Sequence, residues 1–101
     1  MKDKIPSKFK LFGTTINVVW DNVQMNRGQK YGQADYSKCE ITLSDTHGVE
    51  QLTEDRMMDT FYHEKVHIIL DSMQERDLSN NERFVDIFAK LLRQADETAE
   101  P

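Results

Sequence analysis

The sequence predicts an α+β domain in which a small antiparallel sheet of about three strands is covered by two helices. The chain has 101 residues, which is enough for one domain with a modest core and too few for two. Alternating apolar and polar residues, typical of half-buried strands, are confined to its first half. Apolar residues at helical spacing fill the second half, and strands followed by helices are typical of the α+β class.

The strands are predicted from period-two patterns. Two segments carry the inner-face residues: Ile16, Val18 and Trp20 in TTINVVWDN, and Cys39, Ile41 and Leu43 in KCEITLSD. An earlier strand is predicted in KFKLF, separated from the first segment by Gly13. The segment NRGQKYGQADYSK is rich in turn-forming residues, so turns with one short strand are expected there.

Two helices are predicted in the second half. Thr53 is placed to cap the first, which runs to about Arg76. Ser79 is placed to cap the second, because Ser79 and Glu82 have the spacing of a capping box. The apolar residues of this helix are expected to form core: Phe84, Ile87, Phe88, Leu91 and Leu92. We treat residues 1–101 as a single domain whose ends, residues 1–6 and 95–101, are frayed.

Charge and composition exclude several classes of protein. The net charge is −5 and no dense basic cluster is present, so nucleic acid is not an expected partner. No segment approaches the roughly 20 apolar residues that a membrane span requires. The single cysteine, Cys39, excludes an internal disulfide and fits a reducing compartment. A cytoplasmic location is therefore expected.

The first predicted helix carries an unusual polar seam between two apolar flanks. His63, Glu64 and His67 lie in it and form the pattern H-E-x-x-H. Residues four apart stack on one helix face, so both imidazoles can reach one ion, and zinc accepts nitrogen ligands of this kind. Glu64 would lie beside the ion, where it can accept a proton from an attacking water.

A third ligand must come from another segment. Asp71 lies eight residues after His63, about 12 Å along the helix axis, which is too far for a shared ion. Glu82 opens the next helix, which can double back against the first, although the capping box offers Glu82 a purely local role. Asp86, four residues after Glu82, is predicted to accept a hydrogen bond from His63 and orient its ring.

These motifs resemble a known group of enzymes. HEKVH followed by NERFVD resembles the gluzincin metallopeptidases, and YSKCEITLSD, TFYHEKVHIIL and NERFVDIFAKLL resemble the ImmA/IrrE-like group and small phage-encoded zinc peptidases. The resemblance covers about residues 31–94. It implies a minimal zincin-like fold, one zinc ion per chain at His63, His67 and Glu82, and Glu64 as general base. It also implies that the strand before the active-site helix lines the cleft.

The resemblance leaves several points open. An extended peptide substrate is expected along the strand Lys38–Asp45 if that strand has an unpaired edge, but it is equally well an interior strand. Gluzincins usually add a Tyr or His that stabilises the oxyanion. The chain offers His47, Tyr36, Tyr31 and Tyr62 for that role; Tyr62 falls on an apolar flank of the helix, and His47 and Tyr36 are the candidates we select. The function expected is zinc-dependent peptide hydrolysis. The alternatives are a zinc-binding interaction module without turnover and a domain without metal, and the oligomeric state is not predicted.

Overall fold

A four-stranded sheet lies against two long helices in the computed structural model, which describes residues 2–101. The strands of this sheet are β1 (Lys8–Leu11), β2 (Thr14–Trp20), β3 (Gly32–Asp35) and β4 (Glu40–Leu43), and a separate two-stranded sheet consists of β5 (Thr46–His47) and β6 (Glu50–Gln51). The helices are α1 (Asn22–Arg27), α2 (Glu54–Ser72), α3 (Arg76–Ser79) and α4 (Glu82–Thr98), with 3₁₀ turns at Lys2–Lys4 and Tyr36–Lys38. The predicted α+β class is confirmed.

The sheet is mixed, and this differs from the antiparallel sheet that we predicted. Its order is β1-β2-β4-β3, and β2 pairs with β4 in parallel, while the other two pairs are antiparallel. The β1–β2 hairpin turns at Phe12 and Gly13, which both have positive φ (51° and 78°), as a tight hairpin turn requires. The chain between β2 and β4 contains α1 and β3, and this excursion allows β4 to return in the direction of β2.

Strand β4 is interior, so of the two alternatives left open for residues 38–45 the structure shows the interior strand and not the unpaired edge. Ile41 faces Val18 of β2 on one side and Ala34 of β3 on the other. Thr42 is buried as well as Ile41 and Leu43, so the strand is not half-exposed as its alternating pattern predicted. Cys39 precedes the strand in a left-handed conformation (φ 53°) and is only partly buried.

Helix α2 has the predicted cap and the predicted faces. The Thr53 hydroxyl accepts a hydrogen bond from the Arg56 N–H at 3.1 Å. The buried residues of the helix are Met57, Met58, Phe61, Tyr62, Val66, Ile68 and Leu70. The helix ends at Ser72 rather than near Arg76, because Gln74 adopts a left-handed conformation (φ 62°). The seam of His63, Glu64 and His67 is half-buried.

Helix α4 begins differently from the prediction. Asn81 is its N-cap, and the Asn81 side chain accepts a hydrogen bond from the Phe84 N–H at 3.1 Å. Ser79 belongs to α3, so the predicted capping box between Ser79 and Glu82 does not form. Glu82 is the first residue of α4, and its carboxylate therefore has no capping role.

The buried face of α4 consists of small residues. Val85 and Ala89 are 0% and 3% exposed and face α2, whereas Ile87, Phe88 and Leu91 are 48%, 47% and 61% exposed. The prediction that these three large residues form core is therefore wrong. Small side chains at the contact allow two helices to approach closely, and this turns the larger residues of α4 outward.

Both ends of the chain contact the rest of the fold. Helix α4 continues to Thr98, and the Tyr62 hydroxyl donates to Asp96 at 2.8 Å. Ile5 is buried in the core, and Lys4 pairs with Glu54 at 2.9 Å, while the fraying of the two ends stays a prediction. Met1 lies outside the described residues. Across residues 2–101, every helix is too short or too polar to cross a bilayer.

Candidate metal centre

The structure brings three predicted ligands together. One turn of α2 separates His63 from His67, and their ring centroids are 4.9 Å apart. The Glu82 carboxylate lies over both rings: Oε2 is 3.2 Å from His63 Nε2, and Oε1 is 3.2 Å from His67 Nε2. One ligand atom from each of the three residues lies within 4.8 Å of the others.

These distances match the donor arrangement of a small tetrahedral site. Zinc binds imidazole nitrogen and carboxylate oxygen at about 2.0–2.2 Å, which places tetrahedral ligands about 3.3–3.5 Å apart. The two Glu82–histidine distances of 3.2 Å are close to that spacing. Three protein ligands leave one tetrahedral position for water or substrate, as in catalytic zinc sites. The three residues could therefore hold one metal ion, and zinc remains the ion that the sequence predicts.

Ser79 orients one of these histidines, and the sequence analysis missed it. Its buried hydroxyl lies 3.1 Å from His67 Nδ1. When Nδ1–H donates to this hydroxyl, Nε2 keeps its lone pair and points toward Glu82. Ser79 was taken for a helix cap, and no spacing rule links it to His67, twelve residues earlier and on another helix.

Asp86 does not have its predicted role. Both of its carboxylate oxygens accept hydrogen bonds from Lys90 Nζ at 2.9 Å. The predicted hydrogen bond between Asp86 and His63 is absent among residues 2–101. Asp86 and His63 line the same cavity, so the prediction that Asp86 lies near the site, made from its position on one helix face with Glu82, is correct. The Asp86 carboxylate is instead paired with Lys90, one turn further along the same helix.

Burial changes the proton affinity of Glu64. Desolvation, together with the neighbouring Glu82 charge, raises the pKa of Glu64 to about 7, while the positive charge of Lys30 and the backbone of Ala34 oppose this rise. A carboxyl group with a pKa near neutrality can both accept and release a proton. Burial also lowers the pKa of His67, which favours the neutral imidazole that a metal needs.

Two cavities that share Lys30, Gly32 and Glu64 form a cleft along α2, with His63 in one and His67 in the other. One end is a cavity of about 580 Å³ lined by Tyr31, Arg56 and His63, among others. The other end is lined by His67, Asp71 and Ser79. Glu64 and Gly32 line both ends, so the H-E-x-x-H segment and the start of β3 meet at the middle of the cleft.

Strand β3, rather than residues 38–45, forms the wall of this cleft. It is the last strand of the sheet, so one of its edges is unpaired. The Ser44 N–H donates to the Tyr31 carbonyl at 3.1 Å, and hydrogen-bonded positions alternate along antiparallel strands. The N–H and C=O groups of Gly32 and Ala34 therefore point away from β4. The Ala34 backbone forms a hydrogen bond with the Glu64 carboxylate, so this open edge lies beside Glu64.

Gly32 is required for the close approach of β3 and α2. A Cβ atom at this position would lie 2.6 Å from Thr60 Cγ2 and 3.2 Å from Glu64 Cγ. Any side chain would push the strand away from the helix. The glycine was noted in the sequence only as part of a turn-rich segment.

Neither predicted oxyanion stabiliser lies at the ligands. His47 packs its ring on Tyr31 with the centroids 4.8 Å apart, and its Nδ1 is buried without a hydrogen-bond partner. Tyr36 is exposed on the 3₁₀ turn before β4. Both are absent from the lining of the two ends of the cleft, whereas Tyr31 lines the larger one.

Comparison of the chain with protein-family models, curated protein sequences and solved structures gives no match.

Proposed function

We propose that the chain is a zinc-dependent peptidase with one zinc ion bound by His63, His67 and Glu82. The observation that supports this most strongly is the Glu82 carboxylate, 3.2 Å from Nε2 of both histidines and free of the capping role that the sequence offered it. Zinc in such a site supplies Lewis-acid activation of water and of a carbonyl group. The cytoplasmic location and the absence of nucleic-acid partners remain part of this proposal.

Glu64 is the proposed general base. It follows His63 directly, lines both ends of the cleft and has a pKa raised to about 7. It accepts a proton from the water that attacks the peptide carbonyl and later delivers that proton to the leaving amine. Its burial keeps bulk water from competing for the same proton.

The substrate we propose is an extended peptide that pairs with the open edge of β3. The outward N–H and C=O groups of Gly32 and the outward C=O group of Ala34 supply the hydrogen bonds of β-augmentation, while the Ala34 N–H is engaged by the Glu64 carboxylate. Antiparallel pairing is the more stable arrangement per residue, so the peptide runs opposite to β3. Tyr31, at the start of this strand, takes the place of His47 and Tyr36 as the candidate oxyanion stabiliser.

Metal content and one variant test the proposal. Protein purified without chelators is analysed for metal by mass spectrometry, and a mixed peptide library is searched for cleavage products. We expect about one zinc ion per chain, and we expect Glu64→Gln to keep the ion and lose at least about 100-fold in cleavage rate. Glu75→Gln, an exposed glutamate, is the matched control and should resemble the wild type.

The possible results separate the functions. Wild-type protein without zinc would exclude both zinc-dependent functions. Equal cleavage by the wild type and Glu64→Gln would exclude the mechanism. Zinc without cleavage would favour the second candidate, a non-catalytic zinc-binding module. That candidate has one observation in its favour, since His47 and Tyr36 both lie away from the cleft.

A further inference from the structure

The three aspartates in the larger cavity form ion pairs with basic residues of α4. Asp55 and Asp59 pair with Arg93 at 2.9 and 2.8 Å. Asp86 pairs with Lys90 at 2.9 Å. These three aspartates line the cavity together with Glu64, the proposed base, and each has a cation of α4 in direct contact, although Arg93 is shared with Glu97 as well.

Two cations in the same cavity have no carboxylate partner among residues 2–101. Lys30 Nζ donates to the side-chain oxygen of Gln33 at 3.1 Å, and its charge also acts on Glu64. The Arg56 guanidinium lies over the Tyr31 ring, with its Cζ 5.0 Å from the ring centroid. Unpaired cations are unexpected here, because the chain has 18 acidic and 13 basic residues. They are therefore the cationic groups of this cavity that a carboxylate of a ligand can reach without breaking an ion pair.

Arg56 is held in place for such a role. Stacking on an aromatic ring leaves the N–H groups at the edge of the guanidinium available, and these groups fit a carboxylate in a two-point contact. Lys30, with a flexible stem and a charge shared with Glu64, can add only a supporting contact.

The direction of the peptide decides which part of it meets these cations. Tyr31 lines only the larger cavity, whereas Gln33 and Ala34 line only the other end, so β3 runs away from Arg56. A peptide antiparallel to β3 therefore places its C-terminal part in the larger cavity. That part follows the scissile bond, because one metal-binding histidine lines each cavity.

We propose that this cleft selects peptides that carry a carboxylate on the C-terminal side of the scissile bond, and that Arg56, assisted by Lys30, binds it. The inference rests on the proposed function for the position of the scissile bond. Two sources supply the same chemistry: an Asp or Glu side chain, and the free C-terminus of a short peptide. In both cases the carboxylate replaces solvent around the guanidinium as a charge-assisted hydrogen-bond partner.

Binding rather than cleavage tests this inference. Fluorescein-labelled peptides Ala-Ala-Ala-Leu-X-Ala, with X as Glu or Gln and with an amidated or free C-terminus, are titrated by anisotropy. The protein is zinc-loaded Glu64→Gln, which does not consume the probe. We expect the peptides with a carboxylate to bind at least about tenfold more tightly than the amidated Gln peptide. Arg56→Gln in the same background should reduce this ratio to near one.

Arg83→Gln is the matched control, because Arg83 is an exposed arginine on α4 that lines a different surface. It should keep the tenfold preference, and circular dichroism should show that all variants are folded. Arg56→Glu should reverse the preference toward a peptide with Lys at X. A preference that appears only with a free C-terminus would support the inference and identify the terminal carboxylate as the ligand.

The outcomes separate this inference from the proposed function. Selective binding that requires Arg56, in a protein whose wild type cleaves nothing, would support the carboxylate site and reject the peptidase. Cleavage with equal affinity for all four peptides would reject the carboxylate site alone. No measurable binding of any peptide, or a preference that survives Arg56→Gln, would also overturn the inference.

Discussion

Ser79 Oγ lies 3.1 Å from Nδ1 of His67, so a buried hydroxyl on α3 holds a histidine of α2 in place. The contact joins the short helix between the two long ones to the metal ligands. When the hydroxyl accepts from Nδ1–H, Nε2 of His67 is left free to bind an ion.

Replacement of this hydroxyl should weaken metal binding without removing a ligand. For Ser79→Ala we expect a loss of about 10–100-fold in zinc affinity, because the His67 ring loses the partner that orients it. Competition with a chromophoric chelator measures the affinity. Ser72→Ala is the control, since its hydroxyl donates to the Ile69 carbonyl at 2.7 Å and faces no ligand. Equal affinities for the two variants would show that the Ser79 contact does not support the site.

A side chain at Gly32 should destabilise the fold. Gly32→Ala introduces a Cβ 2.6 Å from Thr60 Cγ2, and we expect a cost of about 1–3 kcal/mol in the free energy of unfolding. Thr60→Ser removes that methyl group and keeps the hydroxyl, so the double variant should recover part of the loss. Gly28→Ala is the control, because its Cβ would meet nothing closer than 3.7 Å. Urea unfolding measures the free energy of unfolding of the wild type, Gly32→Ala, Gly28→Ala and the double variant. If the double variant is no more stable than Gly32→Ala, a contact other than that with Thr60 causes the strain.

Glu64 should make the metal-free protein less stable as the pH rises. Its folded-state pKa is raised from 4.5 to about 7, so between these values the folded state binds more protons than the unfolded state. The free energy of unfolding therefore falls over this range, and the stability that the raised pKa provides at low pH is lost above about pH 7. Gln does not titrate, so the advantage of Glu64→Gln over the wild type should grow by about 3 kcal/mol from pH 4.5 to pH 8.

Urea unfolding in the presence of a chelator, repeated across this pH range, measures the effect. Glu75→Gln serves as the exposed control, and its difference from the wild type should not change with pH. A difference between Glu64→Gln and the wild type that stays constant over the range would mean that Glu64 is not desolvated in the folded state.

The two faces of α4 should respond very differently to truncation. Val85 is fully buried against α2, and Val85→Ala should cost about 1–3 kcal/mol through lost burial and a residual cavity. Leu91 is 61% exposed, and Leu91→Ala should change the free energy of unfolding by no more than about 0.5 kcal/mol. Thermal or urea unfolding measures both. A large loss for Leu91→Ala would mean that the outer face of α4 is covered in solution.

The sequence predicted the features that depend on neighbours along one helix. His63 and His67 share a face because four residues complete about one turn, and Thr53 caps α2 through a contact with Arg56. Glu82 was predicted as the third ligand, but its spacing from Ser79 also allowed a role in a capping box. Only the position of the true cap, Asn81, frees Glu82 for the two histidines.

The predictions that were wrong or missing concern contacts between segments far apart in the sequence. They also concern elements of only a few residues. Period-two patterns predict a strand but not its neighbours, so neither the parallel pairing of β2 with β4 nor the edge position of β3 could be read from them. Helix α1 has only six residues, too few for a periodic pattern among turn-forming neighbours. The outward turn of Phe88 depends on how closely α2 and α4 pack, which a helical wheel of one helix does not show.

The parallel pairing of β2 and β4 has a consequence for the order in which the centre assembles. His63 and His67 are aligned as soon as α2 forms, because their spacing is local. The wall opposite them needs β3 to pair with β4, and β4 to meet β2 across a loop of about 20 residues whose closure costs entropy. We therefore expect the histidine pair to exist early in folding and the cleft to close around it late.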